Sequence, residues 1–267
     1  MDANPYREIE SNKPPAIGCR IHYLATTTST QDVAAQLARD GASAGTVVIA
    51  ETQSAGRGRK GHHWYSPPGV NLYLTVISRP KLAAADLPRL SLATGVAVAQ
   101  TLETLAPGLV KLKWPNDIWL NGKKAGGILA QAIKVDPCEP TTVLLGIGLN
   151  VNLGADGIPI ELRGSATSVR IELGAPCDRV KLASSVFDHL QKVLDQLEWG
   201  GFADIRVRWQ KLSALTGRTV QVLDGGARYA GKVVGIDEDG ALLLETEDKS
   251  PVRLRAGEVT IAGFSSP

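Results

Sequence analysis

VKLKWPNDIWLNGKKAGGILAQAIKV, residues 110–135, is the stretch whose reading decides the fold. Its apolar residues fall in short runs bounded by turn residues, which predicts strands at Val110–Lys113, Ile118–Leu120 and Gly127–Val135. Asn121-Gly122, between the second and third, is a strong hairpin signal, because both residues tolerate the positive φ of a tight two-residue turn. A further run, Thr142–Leu149, adds a strand.

Working outward, Leu87–Leu105 repeats Leu90, Ala93 and Val96 or Ala97 near the helical period, although Gly95 weakens that helix. Before it, Asn71–Ser78 alternates Leu72, Leu74 and Val76 as a strand does, and Thr46–Ala50 reads as a buried strand. From Ser29, the positions Val33, Ala34, Leu37 and Ala38 form a helical stripe, with Ser29 as N-cap, Asp32 in the first turn and Gly41 past the end. Residues 1–18, proline-rich and polar, are expected to be a flexible leader, too short for a helix-turn-helix domain. On the other side, Val180–Leu197 is an amphipathic helix and Phe202–Leu212 a shorter one. From Gly217 short alternating runs split by Asp224-Gly225-Gly226 and Asp237–Gly240 predict a small antiparallel barrel of about 45 to 50 residues, tethered behind the main domain. The fold class is therefore α/β (α+β), with a leader at 1–18, a main domain at 19–214 and a small domain at 215–267.

The 29 basic and 27 acidic residues nearly cancel, which argues against bulk attraction to nucleic acid or to an anionic membrane. Three scattered cysteines, Cys19, Cys138 and Cys177, fit neither a disulfide framework nor a spaced metal site. With no signal-peptide pattern and no apolar run of membrane-spanning length, the expected location is the cytoplasm.

Four clusters carry chemistry. Gln53-Ser54-Ala55-Gly56-Arg57-Gly58-Arg59-Lys60-Gly61 follows a predicted strand and combines glycines, which let backbone amides approach an anion, with arginine forks that grip one. A solvated basic turn and a nucleic-acid phosphate site are the competing readings. Trp64 just downstream fits either a cover for a planar ligand or packed core. Asn116 and Asp117 stand at a strand junction, suited to a nucleotide, a hydrated metal or an amine, or to a plain Asx turn. Across the hairpin, Lys124 is expected to share a side with Asp117 and to reach a phosphate or carbonyl oxygen, whereas Lys123 is expected to be solvated. Gly146-Ile147-Gly148 permits close packing against a flat ligand, and Asn150 can bond a base or ribose; Thr28–Gln31 suits a neutral polar head group or capping.

In this order, TTTSTQD, AETQSAGRGRKGHHWYSP, NLYLTV, KWPNDIWLNGKKAGGIL and GIGLNVN resemble the biotin protein ligase family over about residues 22–264, and the conjunction is specific where each motif was not. The resemblance implies a catalytic domain like that of class II aminoacyl-tRNA synthetases followed by an SH3-like β-barrel. It is to the monofunctional type without an N-terminal helix-turn-helix domain. The implied reaction joins biotin to ATP as biotinyl-AMP, then to a lysine of a biotin carboxyl carrier protein or domain. It would place Ser29, Thr30, Gln31 and Gln53 at the biotin head, and Gly56, Arg57, Gly58 and Arg59 over biotin and phosphate. Trp64 and Gly127 would line the pocket, and Lys124 would touch the biotin carboxyl and the α-phosphate. Arg57, Arg59, Trp64, Asn116, Lys124 and Asn150 would serve the nucleotide. Asn116 and Asp117 would stand nearest Mg²⁺ carried by ATP, and Lys124, Arg57, Arg59 and Asp117 would act in catalysis. No DNA or membrane partner is implied, and a homodimer stays open. Two departures stand out: His62 replaces a frequent family arginine, and Ala125-Gly126 replaces the usual residues after the lysine. A lipoate ligase, a nucleic-acid-binding protein and a non-catalytic biotin scaffold are the rival functions.

Overall fold

The Asn121-Gly122 turn forms with φ of 48° and 80°, folding β5 (Asp117–Leu120) onto β6 (Lys123–Ile133). Pairing starts at Leu120↔Lys123, so β6 begins four residues before the expected Gly127. With β1 (Arg20–Thr27), β2 (Thr46–Gln53), β3 (Leu72–Ser78), β4 (Val110–Lys113) and β7 (Thr142–Leu149), they form one sheet. Its order is β1-β2-β3-β7-β6-β5-β4. Only β1 and β2 run parallel. The computed structural model describes residues 4–11, 16–81, 86–135, 141–247 and 250–261, so Cys138 lies outside the described residues.

Both faces of the sheet are covered. In β2, Val47 and Ile49 enter the main core, while Val48, with Ile77 and Leu144, faces α1 (Thr30–Arg39). A strand buried on both sides needs a continuous apolar run, which is what Thr46–Ala50 offers. On the opposite face α2 (Leu87–Glu103) packs between the sheet and two further helices, α4 (Arg179–Gly200) and α5 (Ala203–Leu212). Leu90, Leu92 and Leu102 are fully buried there, each stabilising the fold by about 1.5–3 kcal/mol. A Cβ on Gly95 would meet Leu112 at 3.6 Å, an ordinary van der Waals distance, so the helix–sheet packing does not itself require glycine there.

Three expectations change. The described part of the expected flexible leader is held to the fold: Tyr6 is 1% exposed within the main core, and the backbone N–H of Ile17 donates to Gln191 Oε1 at 2.9 Å. Strand β1 was not expected, because its burial does not alternate. The connection after β7 contains two 3₁₀ turns and α3 (Val169–Leu173), elements too short for a periodic signal. Helix α4 begins at Arg179 because Asp178 caps it, accepting from the amides of Val180 and Lys181.

The C-terminal strands β8 (Thr219–Asp224), β9 (Ala227–Ile236), β10 (Leu242–Glu245), β11 (Pro251–Leu254) and β12 (Glu258–Ile261) form an antiparallel sheet of order β11-β10-β9-β8-β12. This small domain is docked more firmly than a tether implies. Trp114, 2% exposed, donates its indole N–H to the Gly240 carbonyl at 3.0 Å. Arg89 donates to the Glu238 carbonyl and pairs with Asp86 and Asp239, and the buried apolar residues of β8–β12 join the main core. Among the described residues no helix is long and apolar enough to cross a membrane.

Candidate active site

The site lies on the α1 face of the sheet, and its floor is a set of neutral polar groups bonded to one another. Ser29 caps α1, accepting from the Gln31 amide at 3.3 Å. Gln53, at the end of β2, accepts through Oε1 from Thr30 N and Thr30 Oγ1 at 2.9 and 3.2 Å, and donates through Nε2 to Ser66 Oγ at 3.0 Å. Thr75 Oγ1 donates to Thr30 Oγ1 at 2.9 Å. Gln53 therefore lines the cavity but spends both ends of its amide inside the protein, holding Thr30 in place. Gln31 donates to the Leu129 carbonyl at 2.9 Å, while its Oε1 is buried with no partner in the protein. Gly146 makes room for this amide, since a Cβ there would lie 2.4 Å from Gln31 Nε2.

Over this floor runs the Gly- and Arg-rich loop. It closes on itself through Gly58 N donating to His62 O at 2.7 Å and Trp64 N to Gly56 O at 2.9 Å. Gly56 is required by close approach, because a Cβ would sit 2.6 Å from the Trp64 carbonyl. Gly146-x-Gly148 was expected to pack against a flat ligand. At Gly148 the flat group is instead the protein's own: the Trp64 indole lies on the sheet so closely that a Cβ at 148 would be 2.6 Å from Cε2, and one at Gly127 3.4 Å from Cζ3. The loop's outer contacts are ion pairs. Arg57 meets Asp32 at 2.6 Å, and Lys60 and His62 meet Glu258 of β12 at 3.5 and 3.4 Å. The His62 hydrogen bond, aided by Lys60, holds the Glu258 carboxyl below its ordinary range. Arg59 turns inward to Asn116 Oδ1 at 3.4 Å, and burial lowers its pKa against the opposing charges of Asp117, Glu258 and Asp224.

The far wall comes from the hairpin. Lys124 Nζ stands 2.7 Å from Asp117 Oδ1 and 5.6 Å from the centre of the Trp64 ring, so the two residues do share a side. Lys123 is exposed, as expected. Asn116 is locked to β6, donating to the Ile128 carbonyl at 2.9 Å, and Asn150 donates to the Thr167 carbonyl at 3.0 Å. Asn150 thus holds residues 165–167 beside Lys124, whose own backbone bonds Ser165 and Thr167. In this structure the Asn116 oxygen accepts from Arg59, and Asp117 Oδ1 pairs with Lys124. Among the described residues no three His, Cys, Asp or Glu gather as a metal site.

Sequence reasoning did not single out three contributors. Lys113 ends β4 with its Nζ 5.3 Å over the Trp119 ring; burial lowers its pKa, Asp117 opposes and Lys124 adds to the shift. Ile158, Pro159 and Leu162, from the 3₁₀ turns, form an apolar wall, and Glu258 arrives from the small domain. The cavity so enclosed measures about 520 Å³, within the usual span for a small-molecule site. Its lining carries Arg57, Arg59, Lys60, Lys113 and Lys124 against Asp117 and Glu258. A neutral hydrogen-bonding end and a cationic end suit a ligand with a neutral polar head, a carboxylate and a phosphate partner.

Comparison with known proteins agrees with this geometry. Residues 23–152 match the model of the biotin/lipoate A/B protein ligase family, and residues 215–261 that of the biotin protein ligase C-terminal domain. The bifunctional ligase/repressor BirA of Bacillus spizizenii is 35% identical over 236 residues, 88% of this chain and 72% of its own. The biotin--[acetyl-CoA-carboxylase] ligase of Mycobacterium tuberculosis is 35% identical over 256 residues, 90% and 88% of the two chains. Among solved structures, a biotin protein ligase from Aquifex aeolicus in complex with biotin and ATP superposes with a TM-score of 0.80 at 29% identity, covering 91% of this chain and 98% of that one.

Proposed function

The chain belongs to the biotin protein ligase family, and from that premise we propose that it activates biotin with ATP and transfers it to a lysine of a carboxyl carrier protein or domain. The observation that carries this reading is the pairing of two ends in one cavity, a buried Gln31 Oε1 without a partner and Lys124 beside Asp117. A buried acceptor left unmatched costs about 1–3 kcal/mol, and an N–H of a ureido head relieves that cost. The floor of Ser29, Thr30 and Gln53 supplies a shape already set before the ligand arrives.

In the first step a biotin carboxylate oxygen attacks the α-phosphorus, and the bond to the β-phosphate oxygen breaks with its electrons leaving on pyrophosphate. Lys124, Arg59 and Arg57 are suited to hold the charge that spreads over the phosphate, with no covalent enzyme intermediate. Magnesium belongs here to the substrate, carried by the ATP phosphates. Trp64 and the folded loop exclude water from the mixed anhydride. In the second step the neutral amine of the incoming lysine attacks the acyl carbon, the bond from that carbon to the phosphate oxygen breaks and AMP leaves, with Lys124 holding its phosphate and Asp117 accepting or orienting the proton lost by the amine. Transfer from preformed biotinyl-AMP at full rate by Asp117→Asn would rule that role out. A need for ATP and for an apo carrier protein supports a cytoplasmic location.

The test is labelling of an apo carrier domain by the purified protein with ATP and either biotin or lipoate. Biotin-dependent labelling is expected. Labelling with lipoate alone, or none with either, contradicts the proposal.

A further inference from the structure

Asn71 stands immediately before β3 and is fully buried, yet it does not line the cavity. Both ends of its side-chain amide are spent inside the protein. Oδ1 accepts from the Val151 N–H at 2.9 Å, and Nδ2 donates to the Tyr73 hydroxyl at 3.0 Å. That hydroxyl donates onward to the Pro67 carbonyl at 3.1 Å. Tyr73 is itself buried but does line the cavity, and burial pushes its phenol above the ordinary range, so the proton stays in place to be donated. The backbone around the amide is fastened too. The Asn71 carbonyl accepts from Arg179 at 3.0 Å, the Arg179 guanidinium also meets Glu51 at 2.8 Å, and the Asn152 N–H donates to the Val70 carbonyl at 2.7 Å.

The two ends of this relay belong to different walls of the ligand space. Pro67 closes the segment that carries Trp64, and Val151 opens the connection that supplies Leu153, Ile158 and Leu162 to the apolar wall. On the reading that the cavity holds biotin and its adenylate, we infer that Asn71 is a positioning residue for that intermediate: through Tyr73 and Val151 it keeps the Trp64 cover and the wall after β7 in one register. An amide serves here because the two branches need opposite polarity. Val151 presents an N–H, whereas the Tyr73 hydroxyl has given its proton to Pro67 and needs a donor in return. A buried neutral network of this kind resists rearrangement, while the exposed ion pairs of Arg57, Lys60 and His62 exchange readily with water. The loop therefore opens at its outer ion pairs while Trp64, at its inner end, stays on the sheet.

Two variants cut the branch to Pro67. Tyr73→Phe keeps the ring and removes the hydroxyl. Asn71→Asp keeps the acceptor for Val151 and removes the donor, so the Tyr73 proton turns from Pro67 to the carboxylate; if this variant fails to fold, Tyr73→Phe still decides. One readout is the release rate of synthetic biotinyl-AMP from the purified protein. The other is quenching of Trp64 by acrylamide, isolated by difference from the same proteins carrying Trp64→Phe. Release about fivefold faster, the worth of one neutral buried hydrogen bond, with Trp64 more open to the quencher, is the expected result. A lower melting temperature with an unchanged release rate at the folded sites would make Asn71 merely structural and overturns the assignment. So does faster release with Trp64 quenching unchanged. Failure of the wild type to form biotinyl-AMP from biotin and ATP contradicts the ligase reading instead, and the quenching comparison then still decides whether Asn71 and Tyr73 hold Trp64.

Discussion

The floor of the site and the loop above it are both polar, yet they are held by different forces. At the floor, Thr30, Gln31, Gln53 and Thr75 are tied by short neutral hydrogen bonds in buried surroundings. In the loop, Arg57, Lys60 and His62 are held by Asp32 and Glu258 at sites from 40% to 71% exposed. Buried neutral networks resist rearrangement because each broken bond leaves an unmatched group, whereas exposed ion pairs contribute little and exchange readily with water. The difference describes a fixed recognition surface beneath a releasable cover.

The largest effect is expected where the floor has no slack. Gly146→Val would drive a side chain into Gln31 Nε2, which a Cβ alone meets at 2.4 Å. Losing that buried amide's bonds, about 1–3 kcal/mol each, predicts a drop in biotin affinity of roughly a hundredfold with the fold retained by circular dichroism. Gly148→Ala comes next. It displaces the Trp64 indole from the sheet and is expected to weaken biotin and ATP by about tenfold, visible as altered tryptophan emission. Unchanged affinity in either variant would show that the floor adapts, and the contrast would fail.

A smaller change is expected in pH dependence. Lys113 has its pKa lowered by burial, so its charge is present below that lowered pKa and is lost as pH rises through it, sooner than for an ordinary lysine. If that charge aids adenylation, the alkaline limb of kcat/KM moves upward in Lys113→Arg; a limb that stays in place removes Lys113 from the chemistry. The smallest effects belong to the cover. Asp32→Ala and Glu258→Gln should each change stability by less than about 1 kcal/mol. Their few-fold effect on ligand release should vanish in high salt. A loss as large as that of Gly146→Val would mean the loop is part of the fixed surface.

Much of this was legible in the sequence because it followed local rules. Asn121-Gly122 fixed a hairpin and through it the Lys124–Asp117 pair, and Ser29 capped its helix as its position demanded. What stayed hidden depends on contacts distant in the chain. Gly148 faces Trp64 only because β7 and the loop meet in space, and Glu258 reaches His62 across 196 residues. Strand β1 lacks the alternation that marks a half-buried strand, and Tyr6 and Ile9 are isolated core-packing side chains in a polar, proline-containing stretch. Asn150 has the chemistry of a ligand-binding amide, but its nitrogen is committed to the Thr167 carbonyl in the irregular connection before α3, which carries no periodic signal.

The central claim, that one cavity aligns biotin and ATP with Lys124 at the point of reaction, is tested most directly by biotin-dependent ATP–pyrophosphate exchange in the wild type and in Lys124→Ala. The account predicts exchange in the wild type and a loss of at least about a hundredfold in the variant; no wild-type exchange, or full exchange without Lys124, contradicts it.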